Sequence, residues 1–111
     1  MTAPTATEAE YQATIVQTAT LAGWYVHAER PATTANGTRT HIQGHAGWPD
    51  LVLVRGTRAL FLELKRRPGG RVTAGQVSWQ ERLIAAGLDA RVVWLPDELD
   101  ALLAELTERA S

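Results

Sequence analysis

Gly47-Trp48-Pro49-Asp50-Leu51-Val52-Leu53-Val54-Arg55-Gly56-Thr57-Arg58-Ala59-Leu60-Phe61-Leu62-Glu63-Leu64-Lys65 is the stretch that decides the fold. Two apolar runs flank a short Arg-Gly-Thr-Arg break. The charges within the runs lie at their far ends, Asp50 opening the first and Glu63 and Lys65 closing the second. The break predicts a β-hairpin, because Gly at the first central position suits a two-residue type II′ turn and the runs are rich in Val, Leu and Phe. With Gly56 and Thr57 at the turn, Arg55 faces Arg58, Val54 faces Ala59, and counting onward puts Asp50 opposite Glu63. Directly opposed residues hold their Cβ atoms about 4.5–5.5 Å apart. Lys65, two residues beyond Glu63, projects to the same side of its strand. The turn alone predicts two carboxylates and an amine gathered at the open end of the hairpin.

Both faces of this hairpin are apolar, with Leu51, Leu53, Leu60, Leu62 and Leu64 on one and Val52, Val54, Ala59 and Phe61 on the other. Such a sheet needs cover on both sides. Upstream, a helix is predicted from near Thr5 or Thr7 to just before Gly23; Thr5 with Glu8 and Thr7 with Glu10 each fit a capping box. Tyr11, Ile15, Ala19 and Ala22 form its apolar stripe, and Glu8 falls at the N-terminal end of that stripe, whereas Glu10 points nearly the opposite way and suits capping or solvation. A carboxylate on a core-facing stripe is costly unless paired or coordinated, which makes Glu8 a candidate site residue. A short strand over 24–28 follows. Residues 29–46 show no sustained periodicity and read as a long loop, of the kind that is functional or disordered. In that loop His41 and His45 could approach phosphate or metal; with no third ligand at recognisable spacing they also fit as ordinary polar loop residues.

Downstream of the hairpin, residues 66–71 form a basic turn. A second helix has Thr73 as N-cap, Gln76 completing a capping box and Gly87 as the residue past its end. Its apolar positions are Val77, Leu83 and Ile84, with Trp79 and Ala86 on a neighbouring line. A strand over 90–95 is halted by Pro96, and the right-handed crossover lays it parallel to the strand carrying Glu63. A last helix starts around Asp97 and packs through Leu99, Leu102, Leu103 and Leu106. The prediction is one α/β domain over residues 1–111, a mixed four-stranded sheet in αβββαβ order flanked by helices, with an extra C-terminal helix.

At 111 residues and a formal net charge of −1, the chain suits one core and is not a polycationic nucleic-acid coat. Its charges are unevenly placed. Arg55, Arg58, Lys65, Arg66, Arg67 and Arg71 crowd the middle, while Asp97, Glu98, Asp100, Glu105 and Glu108 make the C-terminal segment acidic. Arg66, Arg67 and Arg71, with His45, are the candidate contacts to nucleic-acid phosphate; a scatter of solvating charges is the plainer reading. The absence of cysteine excludes disulfides, thiolate metal sites and cysteine nucleophiles. No signal peptide or bilayer-length apolar run is seen, so a soluble cytoplasmic protein without membrane contact is expected.

Adjacent carboxylates repel unless a cation sits between them, and Mg²⁺ takes oxygen ligands while keeping several waters. Asp50, Glu63 and the backbone carbonyl of Leu64 would make such a site, where Mn²⁺ should substitute. A metal there stabilises charge on a phosphoryl oxygen and orients or ionises a water, and Lys65 is placed to help. Phosphodiester hydrolysis needs these parts.

An acid, a hairpin and Glu-x-Lys form the pattern of the PD-(D/E)xK nuclease superfamily, and the chain resembles its VRR-NUC branch along nearly its whole length. The matching features are Glu8 ahead of Tyr11-Gln12, the Gly23-Trp24 step, Gly47-Trp48-Pro49-Asp50-Leu51, Glu63-Leu64-Lys65, and Gln76 followed by Trp79. The resemblance implies a restriction-endonuclease-like core in which Asp50 and Glu63 bind metal, Lys65 assists the attacking water, and Glu8, through a water, and Gln76 complete the site. A slip of two residues would assign the first acid to Glu10; the helical wheel selects Glu8. Small members resemble archaeal Holliday-junction resolvases and occur in phages and bacteria, which implies a DNA endonuclease selective for branched, flap or junction substrates. With no separate recognition domain, selectivity would come from DNA shape, a homodimer or a protein partner. Two other readings remain: a DNA-binding module of the same fold without hydrolysis, and a scaffold in which Trp24, Trp48, Trp79 or Trp94 serves a protein interface.

Overall fold

The computed structural model describes residues 6–29, 32–34, 37–39 and 42–109. Helix α1 spans Glu8–Leu21, followed by strands β1 (Tyr25–Ala28), β2 (Ala32–Thr34), β3 (Gly37–Arg39), β4 (Leu51–Arg55) and β5 (Arg58–Arg66). Then come α2 (Ala74–Ala85), β6 (Asp89–Leu95) and α3 (Leu99–Thr107). The main sheet runs β1-β4-β5-β6, antiparallel except for the parallel β5–β6 pair. This is the expected α/β architecture, a mixed four-stranded sheet with three helices.

The central hairpin has the predicted register, from Arg55↔Arg58 at the turn to Leu51↔Leu62 at the last ladder pair. Gly56 has φ +62° and no non-glycine residue among those described has positive φ, as a type II′ turn requires. Thr7 is the cap of α1, its hydroxyl accepting from the Glu10 N–H at 3.1 Å; the alternative start at Thr5 lies outside the described residues. α3 begins at Leu99, two residues later than expected, because Glu98 turns back to accept the Trp94 N–H at 2.6 Å.

One face of the sheet is a dry core. Leu51, Leu53, Leu60, Leu62, Leu64 and Leu95 are fully buried against Tyr11, Ile15 and Ala19 of α1 and Leu102 and Leu106 of α3. Each such leucine contributes about 1.5–3 kcal/mol of transfer free energy. The opposite face is only partly covered. Tyr25 and Val54, cross-strand partners, are 87% and 43% exposed. Helix α2 lies against β6 and buries Gln80 and Leu83, while Val77 and Ile84, read from the sequence as packing positions, face solvent. The inward stripe of α2 is in fact Gln76, Trp79, Gln80 and Leu83, at helical spacing.

The 29–46 stretch also differs from expectation. β2 and β3 pair antiparallel as a separate two-stranded sheet, Ala32↔Arg39 through Thr34↔Gly37. β-branched Thr33, Thr34 and Thr38 favour extended backbone. No helix among the described residues is long and apolar enough to cross a membrane.

Arg55 ties the two core helices to the sheet. Its guanidinium sits 4.5 Å from the Trp24 ring and donates to the carbonyls of Ala22 (3.1 Å), Leu106 (3.1 Å) and Glu108 (2.8 Å). These carbonyls lie at the C-terminal ends of α1 and α3, where intrahelical donors have run out. Trp24 Nε1 donates to the same Leu106 oxygen at 2.9 Å. Arg55→Ala is expected to lower stability by about 2–4 kcal/mol, seen as a lower urea midpoint with unchanged slope. Arg55→Lys should recover only part of the loss, because an ammonium cannot fork. An unchanged midpoint for Arg55→Ala would contradict this role.

Candidate metal and nucleic-acid site

The β4–β5 ladder stops one pair short of the two acids, leaving Asp50 and Glu63 side by side at its open end. Pro49 is the reason. In the alternation of this hairpin the next hydrogen-bonded partner of Leu64 would be residue 49, and proline has no N–H to give. Leu64 instead donates its own N–H to Asp50 Oδ2 at 2.8 Å, and by the same alternation its carbonyl is the acceptor that Pro49 cannot serve.

Glu63 is 2% exposed. Its Oε1 accepts from Gln76 Nε2 at 2.9 Å and lies 3.8 Å from Lys65 Nζ, whereas its Oε2 is buried and, when ionised, finds no hydrogen-bond donor among the described residues. Burial, then a hydrogen bond that the protonated acid can share with the Asp50 carboxyl and the repulsion between the two charges, push the Glu63 acid up to about 9, with Lys65 opposing the rise and Glu8 adding to it.

Gln76 does two jobs at once. Its Oε1 accepts the Thr73 N–H at 2.9 Å and its backbone N–H donates to Thr73 Oγ1 at 3.2 Å, a complete capping box. With the amide oxygen engaged by the cap, the amide nitrogen is turned to Glu63. Capping and site roles, separate explanations in the sequence, are one geometry here. The start of α2 is fixed against the site by a contact that sequence reasoning missed. A Cβ on Gly47 would stand 2.4 Å from the Gly75 carbonyl carbon, and one on Gly75 would stand 2.9 Å from the Ala46 oxygen. Gly47 also has φ +103°, open to glycine and strained for other residues. The signal available in the sequence was a glycine in the first turn of a helix, where it is otherwise unfavourable.

The remaining predicted residues divide. Glu8 is solvent-exposed instead of buried, since the packed stripe begins one turn later at Tyr11; its charge still reaches Glu63. Arg67 is engaged in the fold, paired with Asp97 at 2.9 Å and lying 4.5 Å over the Trp94 ring. Arg66 and Arg71 make no ion pair among the described residues. His45 is exposed, and its backbone carbonyl accepts from Trp79 Nε1 at 3.0 Å; His41 lies outside the described residues. Trp24 is a core residue, 3% exposed, so it offers no protein interface.

Among the described residues, no three His, Cys, Asp or Glu side chains come close enough together to hold a metal ion. The fit of a divalent cation therefore rests on two carboxylates and a carbonyl. Glu63 Oε2 is the decisive atom: a buried, unsatisfied carboxylate oxygen beside a second carboxylate is costly as it stands and is satisfied by a hard cation that keeps its waters.

No protein-family model and no curated protein matches the sequence. Solved structures do match. One named "VRR_NUC domain" aligns with a TM-score of 0.64 at 22% identity, over 89% of this chain and 97% of that one. Another, "VRR_NUC domain protein", gives 0.67 at 22% identity, over 93% and 89%. The chain has the fold of these VRR_NUC domains.

A carboxyl that titrates near 4.5 when unfolded and near 9 when folded takes up its proton more readily in the native state. Stability from this group is therefore present at acid pH and is lost as pH rises through that window. Without divalent ions, the wild-type melting temperature is expected to fall across the window more steeply than that of Glu63→Gln. The two should converge at the acid end, and the variant should be the more stable at the alkaline end. Parallel pH profiles would contradict the strained ionisation of Glu63.

Proposed function

We propose that the chain is a member of the VRR-NUC family and a divalent-metal-dependent nuclease domain that hydrolyses phosphodiester bonds in DNA. The observation that carries this reading is the buried Glu63 carboxylate, paired with Asp50 and flanked by Lys65, at the open end of the central hairpin. A binding module has no need of two acids held against their repulsion. The VRR_NUC fold supports the same reading.

Asp50, Glu63 and the Leu64 carbonyl would hold Mg²⁺, for which Mn²⁺ should substitute, with Glu8 reaching the site from the exposed rim through a water. The ion supplies charge stabilisation at the phosphoryl oxygen and a more acidic bound water. Gln76 holds Glu63 Oε1, so that Oε2 is the oxygen presented to the site. Lys65, its side chain 14% exposed and 3.8 Å from Glu63, supplies the positive charge that positions the attacking water and offsets charge developing on phosphate. Arg66 and Arg71 are the candidate phosphate contacts, and Arg67 is committed to Asp97 and Trp94. Selectivity for flap, branched or junction DNA would then come from substrate shape, from a homodimer or from a partner protein, and in a bacterial or phage-infected cell such a substrate would be met in the cytoplasm.

A cleavage panel of single-stranded, duplex, flap and four-way-junction DNA with Mg²⁺ or Mn²⁺ is expected to yield metal-dependent products. Asp50→Ala should abolish them with an unchanged circular dichroism spectrum, and Lys65→Met should lower kcat by about 10²–10³-fold. Unchanged cleavage by Asp50→Ala would overturn the site. No product from any substrate with either metal would overturn the nuclease reading in favour of binding without hydrolysis.

A further inference from the structure

We propose that Trp48 is a stacking platform for an unpaired nucleobase next to the scissile phosphate, an inference that rests on the nucleic-acid reading above and names the part of the substrate this surface takes. Trp48 precedes Asp50 by two residues, so their Cα atoms lie within about 7.6 Å. The β4–β5 ladder ends at Leu51, and the chain ahead of Asp50 brings Trp48 onto the second face, the face of Phe61. There the Trp48 ring meets Phe61 at 5.8 Å and 83° and Trp79 at 4.9 Å and 86°, both edge-on contacts. Phe61 is two residues from Glu63 on the same strand face, and Trp79 is one helical turn from Gln76, which touches Glu63. Three routes, one along the chain through Asp50 and two through the ring contacts with Phe61 of β5 and Trp79 of α2, thus place this ring beside the carboxylate pair.

The ring is also held in place. Trp79 Nε1 is bonded to the His45 carbonyl, and Gly47, the residue before Trp48, is pressed on Gly75 with no space for a side chain. Yet Trp48 remains 37% exposed, in contrast with the 3% of Trp24, whose role is packing. A large apolar ring fixed on two sides and open on a third presents its surface without loss of side-chain freedom on binding. Lys65 beside Glu63, with Arg66 and Arg71 adjoining it in sequence, supplies the positive charge. Cationic groups that follow the backbone and an aromatic ring that takes a base are the combination that holds single-stranded nucleic acid. A base inside a paired duplex is already stacked and faces inward, so this surface favours a strand with an unpaired nucleotide at the cleavage point.

The test measures binding, not cutting, with fluorescein-labelled oligothymidine and a fully paired blunt duplex in EDTA. Trp48→Leu is expected to weaken oligothymidine binding by about 5- to 100-fold, the range of one lost base–aromatic stack, and to leave duplex binding within about twofold. Trp48→Phe, which keeps a ring against Phe61 and Trp79 should Trp48→Leu fail to fold, is expected to show a smaller loss of the same selectivity. Oligothymidine affinity unchanged in both variants, or an equal loss on both nucleic acids, would overturn the platform. Selective loss in a protein that cuts nothing would support the platform and overturn the nuclease reading alone. A wild-type protein that binds neither probe would overturn both.

Discussion

Two carboxylates at cross-strand distance repel, and in a solvated loop Asp50 and Glu63 would swing apart. The fold denies them that freedom. The β4–β5 register sets them opposite each other, Pro49 ends the ladder so that the gap between them stays open, and Leu64 holds Asp50 by its N–H. From the other side, the capping box of α2 turns the Gln76 amide onto Glu63, and the Gly47–Gly75 contact fixes the start of that helix against the loop bearing Asp50. Each element near the site can be traced to this one constraint. What it produces is an acid raised far above its ordinary range with one oxygen unsatisfied, an arrangement that a hard cation relieves and that otherwise only a proton does.

The unfavourable pair is tolerable because stability and chemistry lie on opposite faces of the sheet. One face is filled by leucines under α1 and α3, with Arg55 and Trp24 closing both helix ends. Arg91 and Arg58 add a bridge to Glu105 of α3, at 2.7 and 2.8 Å, which holds that carboxyl below its usual range. The other face carries Glu63, Gln76, Lys65 and the Trp48–Trp79–Phe61 cluster and leaves Tyr25 and Val54 open. This face combines the paired acids with aromatic packing and leaves open surface on which a ligand could lie.

Much of this was legible in the residues. Gly56 in a two-residue break set the hairpin register, and the register alone brought the two acids together; Thr73 and Gln76 marked the cap of α2. The misreadings have physical causes. The inward stripe of α2 includes two glutamines, so its apolar residues mark the wrong face, and Val77 and Ile84 are exposed where the helix turns from the site. Glu8 falls on the apolar stripe of the helical wheel, but packing along that stripe of α1 begins only at Tyr11. Arg67 looked like its basic neighbours, and only the fold shows that Asp97 and Trp94 claim it. β2 and β3 are too short for a periodic pattern to register. The Gly47–Gly75 approach joins residues far apart in sequence: glycine in the first turn of α2 marks one side of it, and no local rule names the partner.

In the proposed cation site, Glu63 and Asp50 are held closed by a proton until the ion enters. Calorimetric titration of Mn²⁺ at neutral pH in two buffers of different ionisation enthalpy measures the ion and the proton at once. The expected result is saturable binding with release of about one proton per ion, because a carboxyl with a raised pKa must ionise to become a ligand. Binding without proton release, or binding that survives Glu63→Gln unchanged, would contradict it.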